Sequence, residues 1–144
     1  MVIPSGPLGA LACVKGPEGI RGTVKFYPVN CGTLITAEIT GLPKNADGFF
    51  ALHIHEGTRC TGEGFRDTGN HYDPHGVDHP RHAGDLPPLL SENGRAFLAV
   101  ETGRFTVWEI IGRTVVIHGG SDDFRSQPSG DAGQKIACGV ICRY

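Results

Sequence analysis

The sequence predicts an all-β fold: a sandwich or flattened barrel of about eight strands with two long loops. Three observations point there. Apolar and polar residues alternate with a period of two in one segment after another, and no long stretch keeps a clean period of 3.6. Gly 22 and Pro 10 are high for 144 residues, and only 19% of residues are charged, which suits short strands joined by turns. The length fits one sizeable core, so residues 1–144 are read as a single domain.

In chain order, the first half reads as a meander. Strands are expected over 8–14, 22–27, 33–40 and 49–55, with turn chemistry at Lys15-Gly16-Pro17-Glu18-Gly19 and at Asn30-Cys31-Gly32. From 56 to 93 the alternation stops and Gly, Asp, His and Pro dominate; a loop of this length inside a small domain is functional or disordered, and its histidines favour function. Strands resume over 95–100, 104–108 and 114–118. A second irregular loop covers 119–134, and a last strand 135–142.

Composition excludes several classes. A net charge of −2 offers no basic patch, so neither nucleic acid nor a membrane surface is an expected partner. No apolar run approaches the length that spans a bilayer. Residues 1–7 lack a basic start followed by an apolar run, so no secretory leader is read and the cytoplasm is expected unless a leader was removed. The five cysteines contain no CxxC, which argues against a thiolate zinc site, and their odd number leaves at least one thiol over.

The chemistry lies in the histidines. All seven fall between His53 and His118, six of them by His82. A lone histidine is most simply a surface residue; this clustering points to metal instead. In His53-Ile54-His55, residues two apart on a strand share a face, so both imidazoles project together while Leu52 and Ile54 face the core. The run from His71 to Leu86 holds further imidazoles and carboxylates in a Gly/Pro-punctuated loop. Three nitrogens and one oxygen make a zinc site without thiolates, and a redox copper site prefers imidazoles. His118 ends an apolar strand, where an inward polar group needs a partner.

Several runs, in order, carry a resemblance to a known family. They are His53-Ile54-His55-Glu56-Gly57, then Cys60, Gly69-Asn70-His71-Tyr72-Asp73-Pro74 and His82-Ala83-Gly84-Asp85-Leu86-Pro87. The second half adds Ile111-Gly112-Arg113-Thr114-Val115-Val116-Ile117-His118, Asp122-Asp123 and Gly130-Asp131-Ala132-Gly133-Gln134-Lys135-Ile136-Ala137-Cys138-Gly139-Val140-Ile141. Together these resemble the copper/zinc superoxide dismutase family over nearly the whole chain.

The resemblance implies an eight-stranded Greek-key β-sandwich, a superoxide substrate, and copper and zinc as cofactors. Copper would be held by His53, His55, His71 and His118. Zinc would be held by His71, His79, His82 and Asp85, with His71 bridging the two ions and carrying a proton during turnover. Asp122 would hydrogen-bond one ligand of each metal, Cys60 and Cys138 would form a disulfide, and Ser129 would flank the substrate channel. Cys13, Cys31 and Cys142 are then left over, with Cys13 expected buried. The family includes homodimers, so a homodimer is open here.

Departures from the family pattern accompany the match. Lys135 stands where the family usually places an arginine above copper; it keeps the charge without the planar fork. The second loop is short and carries Asp122, Asp123 and Asp131 against Arg125 and Lys135, so it is not a strongly basic guide. His79 and His82 are only three apart, and His75 competes with His79 as a zinc ligand. Asp85 could simply be a turn residue, and Cys60 and Cys138 could remain thiols. The rival readings are a non-catalytic copper-binding or copper-delivery domain, a copper-only dismutase, and a purely structural sandwich. The complete ligand set favours the enzyme.

Overall fold

The computed structural model describes residues 6–144; the first five residues of the stretch read for a secretory leader lie outside it. Among the described residues nine strands form: β1 (Ala10–Lys15), β2 (Arg21–Val29), β3 (Gly32–Thr40), β4 (Phe49–Phe50), β5 (Leu52–His55), β6 (Leu89–Leu90), β7 (Ala96–Thr102), β8 (Thr114–His118) and β9 (Lys135–Arg143). Seven make one curled antiparallel sheet in the order β5-β8-β9-β1-β2-β3-β7, and β4 and β6 pair as a short ribbon. The fold is all-β, as the alternation predicts.

The alternation works because each strand turns one face inward. Val24 and Phe26 of β2, Ile35, Ala37 and Ile39 of β3, and Ala137 and Ile141 of β9 are almost wholly buried and share one cluster with Phe50, Leu52 and Ile54. Alanines at Ala10 and Ala12 of β1 leave room for the large side chains opposite. The outer positions of β1 are Leu11, Cys13 and Lys15, so Cys13 is exposed and not buried as expected; Cys31 and Cys142 are exposed as well.

Two elements differ from the sequence reading. The fourth expected strand breaks at Ala51, whose N–H donates to the Gly120 carbonyl and whose own carbonyl accepts from His118 N–H. Residues 104–108 are not a strand: they lead into a one-turn helix, α1 (Val107–Ile110). The cause is a capping box, in which Glu109 Oε2 accepts from the Thr106 N–H at 3.0 Å and from Thr106 Oγ1 at 3.1 Å. Glu109 Oε1 also accepts from the Tyr72 hydroxyl at 2.9 Å, which ties α1 to the first long loop.

That loop is ordered by the edge of β5 away from β8. Ile54 N–H donates to Gly84 O, Tyr72 N–H to Ile54 O, and Leu86 N–H to Leu52 O. These bonds set His71 opposite His55 and Asp85 opposite His53. Gly84 is required there, because a Cβ would collide with the Ile54 carbonyl. The first arm of the loop is pinned by a disulfide between Cys60 and Cys138 of β9, 78 residues apart.

A cross-link over so long a segment removes much freedom from the unfolded chain. Reduction, or the Cys60→Ser/Cys138→Ser double substitution, is expected to lower the stability of the metal-free chain by about 2–4 kcal/mol. Guanidinium unfolding curves with and without reductant check this; coincident curves would show that the bridge contributes nothing.

Candidate metal centre

β5 and β8 are buried on both faces, β5 although its sequence alternates and β8 in keeping with its apolar run Val115-Val116-Ile117. One face packs on the core and the other lies beneath the two loops. The histidines occupy that second face, so His53, His55 and His118 are within 3% of complete burial. A buried imidazole must have its nitrogens matched to partners.

Four imidazoles converge: one nitrogen each from His53, His55, His71 and His118 lies within 4.8 Å of all the others. Their outer nitrogens are committed. His55 Nδ1 bonds to Gly69 O at 2.8 Å, His118 Nδ1 to Gly133 O at 3.2 Å, and His53 Nε2 to Asp122 Oδ2 at 2.9 Å. Each outer N–H donates, so the inner nitrogens present lone pairs. Among the described residues His53 Nδ1 and His71 Nε2 have no hydrogen-bond partner, and His55 Nε2 lies 3.3 Å from His118 Nε2. Lone pairs gathered this closely in a buried site fit a cation, and an all-imidazole set fits copper.

The second group shares His71. Its Nδ1 lies 2.8 Å from Asp85 Oδ1, His82 Nδ1 lies 3.3 Å from His71 Nδ1, and Asp85 Oδ2 is 3.1 Å from both His79 Nδ1 and His82 Nδ1. His53 also falls within reach of this group, but its Nε2 is bonded to Asp122, which leaves Nδ1 as its one ligating nitrogen. The donor atoms of His53, His71, His79 and Asp85 lie within 4.8 Å of one another, and His82 adjoins that set through His71 and Asp85; three imidazoles and a carboxylate fit zinc. His79 is turned into the cluster, with its Nε2 2.8 Å from Asp122 Oδ1; His75 is exposed and stands apart. Asp122 therefore links one histidine of each group through its two oxygens.

Electrostatics follow from burial. Loss of water lowers the His55 imidazole to a pKa of about 2 and His118 to about 3, and lowers His53 too. For Asp122 burial pushes upward, but hydrogen bonds from His53 and His79 outweigh it and hold the carboxyl below its ordinary value. Asp85 is likewise held low against burial, chiefly by His71.

A cavity of about 480 Å³ opens onto His55, His71 and His118, with Ser129, Pro128 and Lys135 at its wall. Among the described residues Lys135 is the one Lys or Arg lining it, and the carboxylates Glu56 and Asp73 line it as well. Its position arises from a β-bulge: Ile117 pairs with Ala137 but His118 with Lys135, so Ile136 is the extra residue. Lys135 Nζ donates to Thr68 Oγ1 at 2.8 Å and to Gly69 O at 3.0 Å, and burial lowers its pKa. Sequence reasoning missed Thr68 and the two carbonyls, Gly69 and Gly133; a backbone carbonyl leaves no signal in residue identity.

Comparisons with known proteins agree with this geometry. A family model described as "Copper/zinc superoxide dismutase (SODC)" matches residues 20–141. Superoxide dismutase (Cu-Zn) 1 of Aquifex aeolicus is 35% identical, covering 83% of this chain and 79% of the relative. The Cu-Zn superoxide dismutase of Deinococcus radiodurans is 34% identical over 85% of this chain and 77% of its own length. The copper chaperone for superoxide dismutase of Homo sapiens is 34% identical over 93% of this chain, which spans only 53% of that relative.

The lowered imidazoles set an acid sensitivity for the metal-free chain. Unfolded, these histidines take up protons below about pH 6.5; folded, His55 and His118 stay neutral down to about 2 and 3. The unfolded state then binds more protons, so stability falls as pH drops from 6.5 towards 3, by up to roughly 1.4 kcal/mol per pH unit for each imidazole. Denaturant midpoints of the metal-free chain across this window check the slope. Flat midpoints between pH 6 and pH 4 would contradict it.

Proposed function

We propose that this chain, which belongs to the copper/zinc superoxide dismutase family, is itself a dismutase that converts two superoxide anions and two protons to dioxygen and hydrogen peroxide. The observation that carries the reading is the pair of unpartnered buried nitrogens, His53 Nδ1 and His71 Nε2, within a ring of four imidazoles that opens onto a cation-bearing cavity.

The family uses copper and zinc, and the donor sets here fit both. His53, His55, His71 and His118 would hold copper; His71, His79, His82 and Asp85 would hold zinc. Bound copper supplies one-electron oxidation and reduction of superoxide, and bound zinc supplies a fixed charge without redox change. His71 can offer a nitrogen to each site, and its Nε2, with no protein partner, is the position at which a proton can be held and then passed to the peroxide. Asp122 fixes the tautomers of His53 and His79, so that Nδ1 of each keeps its lone pair. Lys135 draws the anion into the cavity, and Ser129 keeps its wall polar.

A second reading is favoured by the similarity to the human copper chaperone at nearly the same identity. In that reading the chain binds or delivers copper without turnover. The complete imidazole set and the cavity cation support catalysis over delivery.

Chain reconstituted with copper and zinc is expected to turn over superoxide with about one of each metal bound. Full occupancy of both metals without turnover would move the function to copper binding or delivery. Steering of a small anion is a known property of this family; Lys135→Ala is expected to lower kcat/KM on the order of 10-fold, more at low salt, while Lys135→Arg raises it. An arginine variant no faster than the parent would refute the assigned role of Lys135. Asp122→Ala is expected to weaken both metals by about 10–100-fold, read by chelator competition; loss at one metal only would show that Asp122 does not serve both.

A further inference from the structure

The main chain at His79 is held in an unusual way. Its neighbours in the zinc group are fixed locally: His71 by its bridge to His55, and His82 by its N–H to Asp85 Oδ2 at 2.9 Å. Among the described residues no backbone group bonds to the peptide N–H or C=O of His79. Both go to one side chain on the other loop. Gln127 Oε1 accepts the His79 N–H at 2.9 Å, and Gln127 Nε2 donates to His79 O at 2.7 Å. The same Nε2 donates to Arg125 O at 3.1 Å. One carboxamide thus does for His79 what a neighbouring strand would do.

The second loop is built to present that carboxamide. Asp123 accepts from the N–H groups of Arg125 and Ser126, Gly130 N–H donates to Ser126 O, and Asp123 N–H donates to Gly130 O. Gly130 has φ +73, and a Cβ there would strike Asp122 and the His79 ring. His79 is therefore gripped twice by the same loop: at the ring by Asp122 and at the main chain by Gln127. The residues after Gln127 are Pro128 and Ser129, which wall the cavity over the four imidazoles.

We propose that Gln127 is a positioning residue for zinc: by holding both peptide groups of His79 it presents the Nδ1 of that residue to the metal and makes zinc binding depend on the loop that walls the copper cavity. This rests on the reading of His79 as a zinc ligand. Zinc binding then orders the cavity wall, and loosening the wall weakens zinc before copper, because among the described residues Gln127 hydrogen-bonds to His79 and Arg125 and to none of His53, His55, His71 and His118.

The test uses the full metal-free chain, with zinc and copper affinities each measured by chelator competition, in the parent and in the Gln127→Ala, Gln127→Glu and His79→Ala variants. Gln127→Ala is expected to weaken zinc by about 10-fold, the lower end for an outer partner because the side chain is exposed, and to leave copper affinity unchanged. Gln127→Glu keeps the shape and the acceptor but turns a carboxylate on the carbonyls of His79 and Arg125, so it is expected to be no better than alanine. Hydrogen exchange at 126–133 is expected to slow on zinc addition in the parent and not in Gln127→Ala. Equal weakening of both metals would mark a merely structural role and overturn the proposal, as would a glutamate variant that binds zinc like the parent. Weak zinc binding in His79→Ala with parental affinity in both Gln127 variants overturns this inference alone. Unchanged zinc in His79→Ala overturns the ligand assignment as well.

Discussion

The free edge of β5 is the constraint on which the centre depends. A strand edge inside the protein must have its N–H and C=O groups bonded, and here the first loop supplies the partners. Because the pairing runs through backbone, it fixes position along the strand irrespective of the side chains between. Two short contacts, at 71–72 and 84–86, bring a histidine and a carboxylate from a polar loop against the HxH face of a core strand. The residues between them are free to follow Gly and Pro preferences, and this is why a long segment without its own core can form an ordered site.

Legibility in the sequence follows the same division. Strands with one core face were readable, since alternation is the direct imprint of that face. Cys13 shows a misreading the pattern could have prevented: Lys15 lies two residues on, hence on the same outer face. The helix at α1 was hidden because its cause is one capping interaction, Thr106 with Glu109, within a stretch whose apolar residues also suit a strand. The site histidines were visible because their number, spacing and family resemblance all coincide. What orients them was not: Gly69 and Gly133 act through carbonyls, and Gln127 looks like any polar loop residue.

The metal-free centre is internally opposed. Asp122 and Asp85 are anionic and partnered by imidazoles, yet burial keeps the deepest imidazoles from taking up protons. Lone pairs therefore face one another without protons to relieve them. Cations relieve both problems at once, so metal binding is coupled to the ordering of the loops that enclose it. The sharing of Asp122 between His53 and His79 extends this coupling from one group to the other.

Lys135 brings the covalent and electrostatic parts together. An ammonium has three donors, and Thr68 and Gly69 engage Nζ with two, leaving one for the cavity. The Gly69 carbonyl also accepts from His55 Nδ1, so the cation and one imidazole of the four-histidine cluster are held by the same oxygen. That segment follows Cys60, whose disulfide partner Cys138 lies three residues beyond Lys135 on β9. A bridge at one end of this arm and an ammonium at the other close a small circuit between β9 and the first loop. Loosening either end moves the carbonyl that orients His55, so a cross-link distant from the reacting atoms bears on the geometry of the imidazole cluster.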